Sequence, residues 1–99
     1  MKPVKFHPSA EIEMHEAAKY YELKTKDLGK RFLNEVQDAI RRIQINPRLY
    51  HKIYNDVRRC LTYFFPFGII FREKAFQIEI IAVMHLKRKP NYWNNRTDV

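Results

Sequence analysis

One cysteine, Cys60, leaves the chain unable to close an internal disulfide, which fits a reducing compartment and a buried, unreactive thiol. Glycine occurs only at Gly29 and Gly68, too far apart to form a phosphate-cradling loop, and the single serine, Ser9, stands where a helix should begin. Hydrolysis by a serine nucleophile and nucleotide binding through a glycine loop are therefore not expected. His7, His15, His51 and His85 lack ligand spacing. His15-Glu16-Ala17-Ala18-Lys19 opens like a helical zinc motif but has lysine where the second imidazole is needed, so neither a metal nor another cofactor is expected. No apolar run has the length to cross a bilayer, and Met1-Lys2-Pro3-Val4-Lys5-Phe6 lacks the core of a signal peptide. These absences predict a soluble, cytoplasmic protein with no membrane partner.

Acids are also scarce. Nineteen Lys and Arg stand against 11 Asp and Glu, a formal charge of +8, and this excess attracts polyanions or an acidic partner. It is concentrated in two stretches. Arg41, Arg42, Arg48, Lys52, Arg58 and Arg59 face the single acid Asp56, and Lys87, Arg88, Lys89 and Arg96 face none. A solvated surface is the competing explanation for each. With 99 residues, of which 45% are hydrophobic, the chain suits one domain, 1–99, with a thin core.

Val4–His7, stopped by Pro8, reads as a first strand, and Ser9 as the cap of a helix reaching about Leu23. Glu11 and Glu13 lie in its first turn, where the helix dipole favours negative charge, and Ala10, Met14, Ala17, Ala18 and Tyr21 form its buried stripe. After Lys24-Thr25-Lys26, Asp27 is placed to cap a second helix with Leu28, Phe32, Val36, Ala39, Ile40 and Ile43 on one face, ended by Asn46-Pro47. Aromatic and β-branched runs then predict strands over His51–Asn55, Val57–Phe64, Phe67–Arg72 and Phe76–His85. Simple alternation along the last of these puts Phe76, Ile78, Ile80, Ala82 and Met84 under the helices, and points His85 to the uncovered face. The expected class is α+β: an N-terminal strand and a helical hairpin packed on one face of a mainly antiparallel sheet of four to five strands.

Five pieces, in order, resemble the RelE/ParE toxin superfamily. They are Phe6-His7-Pro8-Ser9-Ala10, Ala17-Ala18-Lys19-Tyr20-Tyr21, Asn46-Pro47, Asp56-Val57-Arg58-Arg59-Cys60-Leu61 with Phe65-Pro66-Phe67, and the run from Ile80 through His85 to Pro90-Asn91-Tyr92-Trp93. The resemblance implies the toxin of a type II toxin-antitoxin (plasmid stabilisation) module, held in check by a cognate antitoxin and meeting operator DNA only as the toxin-antitoxin complex.

Two targets follow from it. ParE-like members bind and inhibit DNA gyrase, and the hairpin and the Pro90-Asn91-Tyr92-Trp93 ending favour that reading. RelE-like members act on the ribosome as mRNA endonucleases without metal, which requires a base, a phosphate-stabilising cation and a proton donor. His85, Arg58, Arg88 and Tyr92 are the candidates for those roles, and Lys52, Arg59, Lys87, Lys89 and Trp93 for contact with RNA or another target. A structural role competes with the catalytic one: Arg58 pairs with Asp56 or Glu79, His85 closes a strand, and Tyr92 and Trp93 pack the tail onto the sheet. A non-toxic, basic nucleic-acid-binding module is the third functional class.

Overall fold

The computed structural model describes residues 1–97. Strand β1 (Val4–Phe6) leads into helices α1 (Pro8–Lys24) and α2 (Leu28–Ile45), followed by β2 (Lys52–Tyr54), β3 (Val57–Leu61), β4 (Phe67–Glu73) and β5 (Ile78–His85). The sheet order is β1-β5-β4-β3-β2; β1 runs parallel to β5 and the other pairings are antiparallel. The α+β class and the helical hairpin stand as expected.

Both helix caps differ from the expectation. Pro8 has no N–H to lose and a ring that holds φ near the helical value, so it occupies the first helical position. The cap moves to His7, whose Nδ1 accepts the Ser9 N–H at 3.0 Å, and Ser9 falls inside the first turn. A side-chain N-cap needs extended backbone, but Asp27 is left-handed at φ 67° and makes no capping bond. Glu22, from the end of α1, does this work by accepting the N–H groups of Asp27 at 2.9 Å and Gly29 at 3.0 Å.

Gly29 also sets how closely the two helices approach, since a Cβ there would collide with the Ala18 carbonyl oxygen. Gly29→Ala is therefore expected to destabilise the hairpin by about 1–3 kcal/mol despite alanine's better helix propensity, read as a lowered thermal midpoint.

Phe32, Val36, Ala39 and Ile43 of α2 bury their face against Cys60, Phe67, Ile69, Phe71, Ile78, Ile80 and Val83 of the sheet. Tyr21, Phe32, Phe65 and Phe67 interlock at the hairpin end of this core, with Phe32 and Phe67 4.9 Å apart between ring centroids. Burial raises the Cys60 thiol pKa above its ordinary value, keeping it neutral in this layer.

The alternation expected for the last strand breaks in its middle. Phe71 pairs with Ile80 and Ile70 with Ala82, so Ile81 is an extra residue, a β-bulge. One added residue reverses every later side chain. Ile78 and Ile80 lie under the helices as expected, but Ala82 and Met84 turn to the opposite face, and Val83 takes their place in the helix-side core. Phe76 precedes the strand and is exposed. The opposite face is not open either: Trp93 lies against Val57, Ile70, Ile81, Ala82 and Met84, so the C-terminal segment forms a third layer.

Candidate functional site

The bulge moves His85 to the helix side of the sheet, correcting the expectation that it faces away. It sits half-buried at the lip of a groove of about 470 Å³ lined by Ala17, Tyr20, Tyr21 and Phe67. Its Nδ1 accepts the Lys87 N–H at 3.0 Å, which leaves Nε2 as the nitrogen free to meet a ligand.

Arg58 is elsewhere. Its guanidinium donates to the carbonyls of Tyr50 at 2.7 Å and Arg48 at 3.4 Å, tying the segment after α2 to β3. Neither acid proposed for it is its partner, and Glu79 pairs with Arg72 at 2.7 Å. Arg58 is opposite Phe71, and Phe71 is opposite Ile80, whereas His85 ends β5 beside Phe67. At ordinary strand rise and spacing the Arg58 and His85 backbones are roughly 15–20 Å apart, too far to act on one phosphate.

The third candidate, Tyr92, is occupied. Its hydroxyl donates to Glu13 Oε2 at 2.6 Å, and the Arg88 guanidinium stacks on its ring at 3.9 Å. Burial, reinforced by the Glu13 hydrogen bond and charge, lifts its pKa well above the usual tyrosine range, so it remains a protonated donor committed to Glu13.

Among the contact candidates, Lys87 and Lys89 are exposed in the turn after β5, and Lys52 is exposed on edge strand β2 opposite Arg58. Arg59 lies with its Cγ and Cδ over Gly68, and Trp93 is 1% exposed in the third layer. Arg88 links two of the others, its N–H donating to the His85 carbonyl at 2.9 Å and its guanidinium lying on the Tyr92 ring, whereas Arg58, Lys52, Arg59 and Trp93 lie apart from that group.

What does gather is a clasp that the sequence reading missed. Past Phe6, no strand among the described residues lies beside β5 on the β1 side, and its polar groups need other partners. Glu13 of α1 accepts the Val83 N–H at 3.1 Å, and Arg96 donates to the Ile81 carbonyl at 3.1 Å. The two side chains also meet in a bidentate pair of 2.9 and 3.0 Å, with side-chain exposures of 15% for Glu13 and 14% for Arg96. In the sequence Glu13 reads as a helix-dipole residue and Arg96 as one of four cations in an acid-free basic stretch. Their separation along the chain gives no periodic signal that could have paired them.

An apolar cleft borders the outer edge of the sheet. It lies between β1 and the helices, about 440 Å³ in volume, with Val4, Phe6, Met14, Leu33 and Ile40 in its walls and Arg41 at its rim. No helix among the described residues is long and apolar enough to cross a membrane.

A chain of the solved structure "Chromosomal ParDE TA system from P. aeruginosa" has the same fold, with a TM-score of 0.64 at 18% identity, over 88% of this chain and 98% of that one. No curated protein sequence matches. The family described as "ParE toxin of type II toxin-antitoxin system, parDE" matches residues 4–90, ending just before Tyr92, Trp93 and Arg96. That match spans the strand, the hairpin and the whole meander, and on it the chain belongs to the ParE toxins of type II toxin-antitoxin systems.

Proposed function

We propose that this toxin arrests growth by binding and inhibiting DNA gyrase, without catalysing a reaction of its own, and that a cognate antitoxin holds it inactive. The observation that carries this reading is that the RNA-cleavage candidates do not form a free set of base, cation and proton donor. His85 is at a helix-side groove, Arg58 is committed to backbone carbonyls, and Tyr92 is committed to Glu13. In-line attack on a phosphate needs a base, a cation and a proton donor free within hydrogen-bond reach of one point; Arg58 is remote from His85, and Arg88, which is beside His85, stacks on a Tyr92 whose hydroxyl is held by Glu13. A binder asks nothing of that geometry.

The cleft beside β1 suits the antitoxin. Its walls take apolar anchors, the open edge of β1 offers backbone hydrogen bonds, and the chain's +8 charge favours an acidic segment.

The test runs two assays in parallel on purified toxin. Gyrase supercoiling is expected to fall with added toxin, to return on adding antitoxin, and to fall equally with His85→Ala, while messages on translating ribosomes stay whole. Cleaved messages with normal supercoiling, abolished by His85→Ala or Arg58→Ala, would establish the nuclease reading instead.

A further inference from the structure

The turn between β3 and β4 departs from the expected strand and is built unlike an ordinary loop. Thr62 fixes it from inside: its N–H donates to the Phe67 carbonyl at 3.0 Å and its hydroxyl to the Phe65 carbonyl at 2.7 Å. The Phe67 N–H reaches the Phe65 carbonyl at 2.8 Å, and Phe65 itself is buried in the aromatic core. From outside, Glu35 of α2 accepts the Tyr63 N–H at 3.2 Å. This rigid frame holds two large rings out in solvent, with Tyr63 70% and Phe64 71% exposed.

Each ring has one face covered by a guanidinium from α2. Arg42 stands 4.2 Å from the Tyr63 centroid and Arg31 stands 4.1 Å from that of Phe64. The two cations differ in what else they do. Arg42 donates to Asp38, the Cys60 sulfur and the Leu61 carbonyl, so it braces Tyr63 and points inward. Arg31 is exposed and makes no ion pair among the described residues, while Glu35 accepts the Tyr63 N–H and Asp38 pairs with Arg42. The tip therefore presents two preorganised aromatic rings and one cation without a carboxylate partner among the described residues.

We propose that the Tyr63–Phe64 tip inserts into an apolar pocket, rimmed by carboxylate, on the protein this toxin inhibits. This rests on the reading above that the target is gyrase, and it assigns the target a surface apart from the cleft given to the antitoxin. Rigid aromatic anchors flanked by arginine are the composition that dominates binding energy in protein interfaces, and anchors already held in place lose little freedom on docking. Arg31 supplies the charge complementarity and steers the encounter. A nucleic-acid strand fits less well. It needs open ring faces and a row of free cations along its backbone, whereas here one face of each ring is taken and the Arg42 donors are directed inward.

The double variant Tyr63→Ser/Phe64→Ser, made in the full chain, tests this. The rings are outside the core, so its melting temperature should stay within a few degrees of the parent; if it does not, Phe64→Ser alone serves, because Tyr63 is the ring braced by Arg42. Binding to purified gyrase is expected to weaken by about tenfold or more, with antitoxin affinity changed by less than about twofold. Arg31→Glu should slow association with gyrase and flatten its salt dependence, and Arg31→Lys should largely restore both. A folded double variant that inhibits gyrase at parental concentrations overturns the proposal. So does lost affinity for antitoxin with gyrase binding intact, or parental binding of a single-stranded oligonucleotide that the variant lacks. If the parent arrests growth without touching gyrase, the gyrase reading fails by itself. The tip is then judged on growth: a harmless folded variant supports it and a toxic one overturns it.

Discussion

Glu13→Ala is expected to cost about 3–5 kcal/mol, the range for removing one partner of a buried ion pair, because this part-buried pair is lost together with the Val83 and Tyr92 hydrogen bonds. In a domain of this size that corresponds to a thermal midpoint lower by more than about 12 °C, measured by circular dichroism or calorimetry. Four groups lose their acceptor together: the Val83 N–H, the Tyr92 hydroxyl and two Arg96 donors. The worst left is the Arg96 charge, held at 14% side-chain exposure with the Ile81 carbonyl and, at 5.2 Å, the Tyr92 ring to meet it. Glu13→Gln should recover part of the loss, since an amide oxygen still accepts one or two of those bonds without balancing the charge. The double variant Glu13→Leu/Arg96→Met should be less damaged than the sum of its single changes, because no unpaired charge remains. It should not reach parental stability, because the Val83 N–H and Ile81 C=O on the open edge of β5 would have no partner. Additive losses across that cycle would mean that Glu13 and Arg96 act independently.

The same clasp predicts behaviour in alkali. Tyr92 has a folded-state pKa raised above the value of about 10 that tyrosine has in an unfolded chain. Its contribution to stability is therefore complete below pH 10 and is lost as pH rises, because the unfolded chain releases the proton first. Tyr21 and Tyr50 are shifted the same way, chiefly by burial. Unfolding followed from pH 8 to 11 should show stability declining from about pH 9, where the unfolded Cys60 thiol releases its proton first, and more steeply above about pH 10, with a shallower upper decline in Tyr92→Phe.

Elements governed by short-range chemistry were legible in the chain. The α2 stripe of Phe32, Val36, Ala39 and Ile43 reports a single packing face, and Asn46-Pro47 stops the helix because the residue before proline is excluded from helical backbone. Along β5 the pattern was legible as far as Ile80. The bulge at Ile81 comes from pairing with β4 and has no local marker, so alternation counted from the sequence placed every later residue on the wrong face, His85 included. The same limit applies to function. Catalytic roles for Arg58, His85 and Tyr92 required that they meet, and meeting depends on register and on the returning tail. Arg58 and Tyr92 were recognisable as residue types with useful chemistry, but their partners, the Tyr50 carbonyl and Glu13, lie on other elements and leave no spacing to read. The Tyr63–Phe64 tip was hidden differently: an aromatic run resembles a strand, and only the Thr62 hydrogen bonds show that it turns outward.

Trp93→Ala should be as damaging as the loss of Glu13, by about 3–5 kcal/mol, for a different reason. The indole is 1% exposed and packs over Val57, Ile70, Ile81, Ala82 and Met84, so truncation removes its burial and opens an apolar sheet face to water. Its ring N–H has no acceptor among the described residues, which means the site uses the size of the ring and gains nothing from its polar atom. Trp93→Phe is accordingly expected to restore most of the stability, where a buried hydrogen-bonded tryptophan would have made phenylalanine nearly as harmful as alanine. Denaturant titration separates these outcomes, and light scattering should reveal self-association of Trp93→Ala alone. Arg96 and Tyr92 flank Trp93 in the tail and reach Glu13 around the edge of β5, so the plug and the clasp should loosen together. Trp93→Ala combined with Glu13→Ala should then cost less than the two losses summed, and full additivity would mean that the tail is held at two independent points.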